Sequence, residues 1–169
     1  MTRFWGSPKI ALQFKKFSTR YQDTPKLERF LLLARGWSNG TNVECPYCSS
    51  RRCNQDKKSA LRWRCAFCKN FFTITTNTSL HRTRIGYRNL VLLAFLVANH
   101  EKPSRGRGKR ITTMTSSKST TRILNVLVKH KDNAVEKRHN KAHLSTARKN
   151  YARLATLSLL KNALTVVKT

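Results

Sequence analysis

Four cysteines have the residue type and the spacing that metal chemistry requires. They form two Cys-x-x-Cys pairs, Cys45 with Cys48 and Cys65 with Cys68, with sixteen residues between the pairs. The two-residue gap lets one turn present two thiolates on the same side, and two facing turns complete a tetrahedral shell of four sulfurs. Protein then fills every coordination position, so the ion would be structural and would activate no water. The sequence therefore predicts a four-cysteine zinc ribbon that binds one structural Zn²⁺.

Two other interpretations of the cysteine pairs are disulfide bonds and a thioredoxin-like redox motif. The sequence shows no secretory signal, so we expect an intracellular, reducing compartment, where paired cysteines are more often metal ligands. A redox pair would lie in a strand-helix-strand context, and neither pair does. The fifth cysteine, Cys53, is expected to be an ordinary free thiol. The zinc interpretation is therefore preferred.

The acids and histidines give no support to catalysis. The chain has seven acidic residues, of which only Asp132 and Glu136 follow Glu101. A two-metal nuclease needs several carboxylates that converge from separate elements. The five histidines lie in basic or polar surroundings without a neighbouring nucleophile or orienting acid. We therefore expect no enzyme activity and no small-molecule substrate.

The charge of the chain predicts a polyanionic partner. Thirty-five Lys and Arg residues stand against seven acids, which gives a net charge of +28. A chain this basic repels itself, and nucleic acid would neutralise it. A membrane surface is the competing partner, but it favours one basic amphipathic helix, whereas this charge is spread over every segment. No apolar run approaches the ~18 residues that span a bilayer. We expect nucleic acid and no membrane.

Basic and aromatic residues are interleaved around the predicted zinc site. Among the aromatic residues, Trp63 and Phe72 are expected to cover the small core of the ribbon. The cations of this region and of the segments that follow are expected to contact phosphates. These predicted nucleic-acid contacts are Arg51, Arg52, Lys57, Lys58, Arg62, Arg64, Lys69, Arg82, Arg84, Arg105, Arg107, Lys109 and Arg110.

The elements that position these residues predict a small α+β protein. A four-cysteine zinc ribbon of short antiparallel strands is followed by helices, and long basic extensions lie at both ends. Alternating apolar and polar residues predict strands around residues 61–65 and 72–75. Helical spacing and turn signals predict four helices, at residues 25–34, 87–100, 123–128 and 144–167.

Composition divides the chain into four regions. They are a basic N-terminal arm (1–24), the zinc ribbon with flanking helices (25–100), a basic flexible loop (101–121) and a helical basic C-terminal extension (122–169). Residues 1–22 contain cations, aromatic residues and hydroxyls but no acid. This bias is typical of an organelle transit peptide, and equally of a plain basic arm. The mitochondrial matrix is the expected location.

Several motifs in the middle of the chain occur in a fixed order. They are WSNG at residues 37–40, VECPYC at 43–48, RWRC at 62–65 and FFTITTNT at 71–78, followed by the apolar helix from Tyr87. In this order they resemble the N-terminal zinc-ribbon region of Merlin-type transposases and their bacterial insertion-sequence relatives, over residues 27–100. In that family a helix-turn-helix and a catalytic domain follow the ribbon. The resemblance therefore implies DNA binding.

The chain departs from that family at two places. Residues 101–121, rich in Gly, Arg, Ser and Thr, stand where the first helix of the helix-turn-helix would be. Only residues 119–124 and the apolar residues after them are similar to its second helix. The second departure is the absence of a carboxylate-bearing catalytic domain after the ribbon.

Two functions remain open at this stage. One is an rRNA-binding component of a ribosome, preferably organellar; the alternative is a DNA-binding, transposase-derived protein or regulator without catalytic activity. Residues 102–131 hold nine Lys and Arg and no acid. A groove reader needs one charged face, whereas a protein threaded between RNA helices needs charge along extended segments. We favour the ribosomal function, with RNA and neighbouring proteins of a large ribonucleoprotein particle as partners.

Overall fold

The computed structural model describes residues 8–37, 42–57, 59–83, 85–99, 117–136 and 151–165. Within them the chain forms five helices and a three-stranded antiparallel sheet of order β1-β2-β3. The elements are α1 (Pro8–Arg20), α2 (Thr24–Arg35), β1 (Cys53–Asp56), β2 (Ser59–Cys65), β3 (Phe71–Thr73), α3 (Tyr87–Asn99), α4 (Ser117–Glu136) and α5 (Tyr151–Ala163). The predicted small α+β class is confirmed. No helix in these ranges is long and apolar enough to cross a membrane.

The central strand of the sheet has one buried and one exposed face. Leu61, Trp63 and Cys65 are buried, whereas Arg62 and Arg64 between them are exposed. This is the alternation that the sequence predicted, because successive side chains of a strand point to opposite faces. Trp63 stacks with Phe72 of β3 at 6.1 Å between ring centroids. Both rings are buried, as expected for side chains that cover a small core.

The four-residue strand β1 was not predicted. The third strand, β3, ends earlier than predicted. The strand expected at 72–75 ends at Thr73, and residues 73–78, here called the threonine turn, follow. The backbone N–H of Thr73 donates to Thr76 Oγ1 at 2.9 Å, and Thr78 Oγ1 donates to the carbonyl of Thr75 at 2.7 Å. Hydroxyl side chains that bond nearby backbone groups in this way compete with a strand ladder. The threonines therefore end the strand.

Helix α3 is the centre of the helical part. Its residues from Leu90 to Val97 are all buried, and they contact α1, α4 and α5. A helix that is apolar on every side must be covered by other elements, as the sequence predicted for residues 87–100. The predicted helix at 25–34 is likewise found as α2, whose Leu27, Phe30 and Leu31 are buried.

A glycine directs the chain from α2 to the sheet. Gly36 has a φ of 82°, in the left-handed region that glycine adopts without strain. Its N–H donates to the carbonyl of Leu33 at 3.1 Å, and the N–H of Trp37 donates to that of Leu32 at 2.9 Å. These two bonds form a Schellman cap. The cap delivers Trp37 to the sheet, where its ring lies 5.0 Å from that of Trp63.

The N-terminal region differs from the sequence prediction. Residues 1–24 were expected to form a basic arm, but residues 8–20 form α1. Phe17 lies 4.5 Å from Phe95 of α3, and Tyr21 lies 4.8 Å from Phe30 of α2, measured between ring centroids. Helical spacing places Phe17 and Tyr21 on one face, so α1 packs on the core, whereas its Lys15, Lys16 and Arg20 are exposed.

The C-terminal regions need a similar correction. Helix α4 begins at Ser117, inside the predicted loop, and its 20 residues far exceed the short helix expected at 123–128. Helix α5 contacts α2, α3 and α4, so it is part of the core rather than an extension. Its buried residues Leu159, Leu160 and Ala163 recur at helical spacing. The rest of the predicted loop, the start of the helix expected at residue 144 and its end beyond residue 165 lie outside the described residues.

Candidate metal centre

Two turns with the same backbone geometry carry the four cysteines. In the first cysteine turn (residues 45–50) the N–H of Cys45 donates to the carbonyl of Ser50 at 3.0 Å. In the second cysteine turn (residues 65–70) the N–H of Cys65 donates to that of Asn70, also at 3.0 Å. The residue after each second cysteine is left-handed, with a φ of 56° at Ser49 and 61° at Lys69. The sequence repeat is therefore also a structural repeat.

The two turns bring the four sulfur atoms together. The Sγ atoms of Cys45 and Cys68 lie 3.6 Å apart, as do those of Cys48 and Cys65. All four sulfurs lie within 4.8 Å of one another. A tetrahedral ion with Zn–S bonds of ~2.3 Å needs sulfur separations of roughly 3.8 Å. The group, here called the cysteine cluster, therefore fits one structural metal ion held by protein alone.

Backbone amides of the turns point at the sulfurs. Burial raises the pKa of Cys45 to about 12, against hydrogen bonds from the backbone N–H groups of Tyr47 and Cys48. Burial also opposes ionisation of Cys65, but hydrogen bonds from the N–H groups of Cys68 and Phe67 and from the thiols of Cys48 and Cys68 together lower its pKa to about 6. In both turns the amides stabilise the thiolate, which is the form that binds metal.

Cys53 lies next to the cluster without belonging to it. It is the sheet partner of Cys65, and its thiol donates to the carbonyl of Ser50 at 3.3 Å. Burial, and then the negative charge of Cys65, raise the pKa of Cys53 to about 11. A thiol with this pKa stays protonated at neutral pH. The free thiol expected from the sequence agrees with this position.

The threonine turn holds the first cysteine turn from outside. Asn77 Nδ2 donates to the carbonyl of Pro46 at 2.9 Å. Asn77 itself is left-handed, with a φ of 53°, and its N–H donates to His81 Nδ1 at 3.2 Å. Because the backbone of Asn77 is itself held by His81, the bond from its side chain to Pro46 limits the movement of the first cysteine turn.

Arg35 connects the sheet to the helices, and no sequence pattern indicated this role. Its guanidinium donates from Nη2 to the carbonyl of Thr76 at 3.2 Å and from Nη1 to the carbonyl of Leu164, at the end of α5. It also lies 5.0 Å from the centroid of the Trp37 ring. Burial lowers the pKa of Arg35 to about 10, so the group stays charged at neutral pH. One cation thus joins α2, the threonine turn and α5.

The predicted phosphate contacts that the structure describes are all at the surface. Exposed side chains are found at Arg51, Arg52, Lys57, Arg62, Arg64, Lys69 and Arg82. Arg82 has a φ of 57° and borders a cavity of about 530 Å³ between the threonine turn and the start of α3. Arg62 Nε lies 3.5 Å from Asp56 Oδ2. The remaining predicted contacts, Lys58, Arg84, Arg105, Arg107, Lys109 and Arg110, lie outside the described residues.

Three exposed aromatic side chains were not predicted as functional residues. Tyr47 is 49% exposed, Phe67 74% and Phe71 48%. The signal in the sequence was their position, because Tyr47 and Phe67 each occupy the third place of a Cys-x-x-Cys pair.

Comparisons with protein-family models, with curated proteins and with solved structures give no match. The transposase resemblance and the nucleic-acid contacts therefore stay sequence-based predictions.

Proposed function

We propose that this chain is a structural, non-catalytic nucleic-acid-binding protein whose cysteine cluster is a zinc ribbon with one Zn²⁺. The observation that carries the proposal is the set of exposed cations in the cysteine-bearing region, at Arg51, Arg52, Lys57, Arg62, Arg64 and Lys69. Arg62 and Arg64 lie on β2 and Lys69 lies in the second cysteine turn, so a phosphate backbone would meet donors that the sheet and the turn already position. Zinc is the metal proposed because four thiolates in a tetrahedral shell are its preferred structural ligands.

The chain cannot neutralise this charge from within. Asp23 lies 2.8 Å from Lys26, and Asp56 pairs with Arg62. If each of the seven acids neutralised one of the 35 cations, 28 cations would remain, which is the net charge. A partner with many regularly spaced negative charges is therefore required, and nucleic acid has them.

RNA is proposed over DNA because the exposed cations are found on several sides of the molecule. Helix α1 exposes Lys15, Lys16 and Arg20, which line a groove with Lys26 of α2. Another exposed cation, Lys161, lies on α5. A component of a ribonucleoprotein particle contacts RNA segments from several directions, whereas a duplex reader needs one basic face. A ribosomal protein of an organelle, in the mitochondrial matrix, is the proposal that follows from this and from the N-terminal composition.

One observation favours the DNA-binding alternative. Helix α4 buries Ile123, Leu124 and Leu127 and exposes Arg122, Asn125 and Lys129 on a single face. Arginine, asparagine and lysine are the residue types that contact base edges in the major groove. The first turns of the helix also contain residues 119–124, which resemble the second helix of a helix-turn-helix. A sequence-specific duplex reader would use this face.

Competition binding separates the two functions. Fluorescence anisotropy of the zinc-loaded full chain would compare structured RNA with random duplex DNA of equal phosphate number over a range of salt concentrations. We expect RNA to compete better, and Arg51→Ser with Arg52→Ser to lower the slope of log K against log salt by about 1.4–1.8. Arg122→Ala is the comparison on α4. Selection of a defined duplex site that Arg122→Ala abolishes would replace the RNA function with the DNA function.

The particle assignment has its own measurement. The tagged chain, expressed in cells, would be followed through a density gradient together with ribosomal subunits. Co-sedimentation that survives moderate salt supports a ribosomal component. Sedimentation as a free protein, in cells where the RNA-binding assay is positive, would remove the ribosome and leave RNA binding.

A further inference from the structure

The two cysteine turns present aromatic rings at equivalent positions. Tyr47 follows Pro46 in the first turn, and Phe67 follows Ala66 in the second, each just before the second cysteine. Because the two turns share their hydrogen bonds and their left-handed residue, the structure repeats the position of the ring. Phe67 is 74% exposed and Tyr47 49% exposed. Neither ring is used to build the core, which Trp37, Trp63 and Phe72 fill.

A third ring lies beside the second turn, in contact with two cations. Phe71 is the sheet partner of Arg64, and the two residues flank the second cysteine turn. The guanidinium carbons of Arg62 and Arg64 lie 4.5 and 5.4 Å from the centroid of the Phe71 ring. Asp56 holds Arg62 in place through its Nε. Phe71 thus combines an exposed apolar ring with two positioned positive charges.

This combination of groups selects one kind of ligand. In a nucleotide a base with a flat π face is linked through its sugar to a phosphate, so a ring beside a guanidinium matches both the base and the phosphate. In a duplex the base faces are covered by their neighbours, whereas in a single strand they are open to a protein ring. An apolar protein surface would match the rings but would take the guanidinium charges out of water without adding a negative charge opposite to them.

We propose that Tyr47, Phe67 and Phe71 form a site for unpaired bases of a single-stranded nucleic acid, with Arg62 and Arg64 on the flanking phosphates. The proposal rests on the nucleic-acid-binding function proposed above and defines which form of nucleic acid this surface takes. The rings supply stacking, and the exposed cations of the cysteine-bearing region supply the attraction to the backbone.

The test measures binding of an unstructured RNA of about 12 nucleotides, within the range of single-strand sites, and of an RNA duplex with the same phosphate number. Stacking on one ring contributes about 1–3 kcal/mol per base, or roughly 5- to 150-fold in affinity. Phe67→Ala should lower single-strand affinity by such a factor, leave the salt slope unchanged and leave duplex binding unchanged. Leu33→Ala is the matched control, because Leu33 is an exposed apolar residue of α2. Zinc content and circular dichroism check the fold of each variant.

A spectroscopic readout reports stacking directly. The fluorescence of 2-aminopurine within the single strand should fall on binding of the unchanged chain and fall less with Phe67→Ala or Tyr47→Ala. The stacking site is overturned if the chain binds RNA while both variants keep full affinity and full quenching, or if they weaken duplex binding equally. Failure of the unchanged chain to bind any nucleic acid would instead overturn the proposed function itself. Recovery of Phe67→Ala by Phe67→Trp supports stacking, because Trp restores the ring.

Discussion

Replacement of Arg35 should separate the sheet from the helices energetically. Arg35 donates to the carbonyls of Thr76 and Leu164 and lies over Trp37. Each hydrogen bond from a charged donor contributes about 1.5–3 kcal/mol, and a cation–π contact at least about 0.5–1 kcal/mol. Burial of the guanidinium, seen in the pKa of about 10, offsets part of this sum. For Arg35→Leu, which keeps the apolar stem, we expect a loss of about 2–4 kcal/mol in the free energy of unfolding.

Thermal and urea denaturation of the zinc-loaded chain, followed by circular dichroism, would measure this loss. For a chain of this size, about 1 kcal/mol shifts Tm by about 2–4 °C, so a fall of roughly 4–16 °C is expected. Arg29→Leu on the exposed face of the same helix is the control and should change stability by less than about 0.5 kcal/mol. Arg35→Lys should fall between the two, since one ammonium cannot reproduce the fork of the guanidinium. Equal stability of Arg35→Leu and Arg29→Leu would refute the connecting role.

Three further predictions concern the metal and two buried groups. Elemental analysis should give one zinc per chain, lost with Cys65→Ser but kept with Cys53→Ser, and chelation should unfold the sheet because so small a core needs its ion. Tyr21→Phe should raise the free energy of unfolding by about 1 kcal/mol, since the buried Tyr21 hydroxyl has no hydrogen-bond partner among the described residues. An unchanged or lower Tm would count against this. Burial and then Lys129 lower the pKa of His130 below 6.5. As the pH falls below about 6.5, His130 therefore takes up a proton more readily in the unfolded chain than in the folded chain, and the free energy of unfolding decreases. His130→Gln should make the free energy of unfolding less dependent on pH in this range.

Short-range patterns predicted part of this structure. The Cys-x-x-Cys spacing identified the four cysteines that form the cluster, and strict alternation identified the buried face of β2 around Trp63. The apolar stretch of α3 identified the covered helix. Each of these signals lies within a few residues of sequence, where one geometric period decides the outcome.

Other features depended on contacts that no local pattern contains. Helix α1 was missed because cations and hydroxyls outnumber Phe14, Phe17 and Tyr21, so composition concealed a helical face. Arg35 and Leu164 are 129 positions apart, and only the packing of α5 brings them together. The threonine turn also has strand-forming residues, yet hydroxyl bonds to the nearby backbone ended the strand. Side chains that bond to distant or local backbone groups override the propensity of their type.

The position of α3 in the chain sets an order of events during synthesis. The cysteine turns and the sheet contact one another locally, so this region can bring its four cysteines together as soon as residue 80 is available. Helix α3 then follows, but α4 and α5, which cover much of it, come later, with Tyr151 more than fifty residues after Asn99. At about 5–20 residues per second, the apolar side chains of α3 wait for roughly 3–13 s before α5 is complete. During that interval the nascent chain carries an assembled cysteine cluster next to an uncovered apolar helix, and a chaperone that binds apolar segments would recognise the helix there.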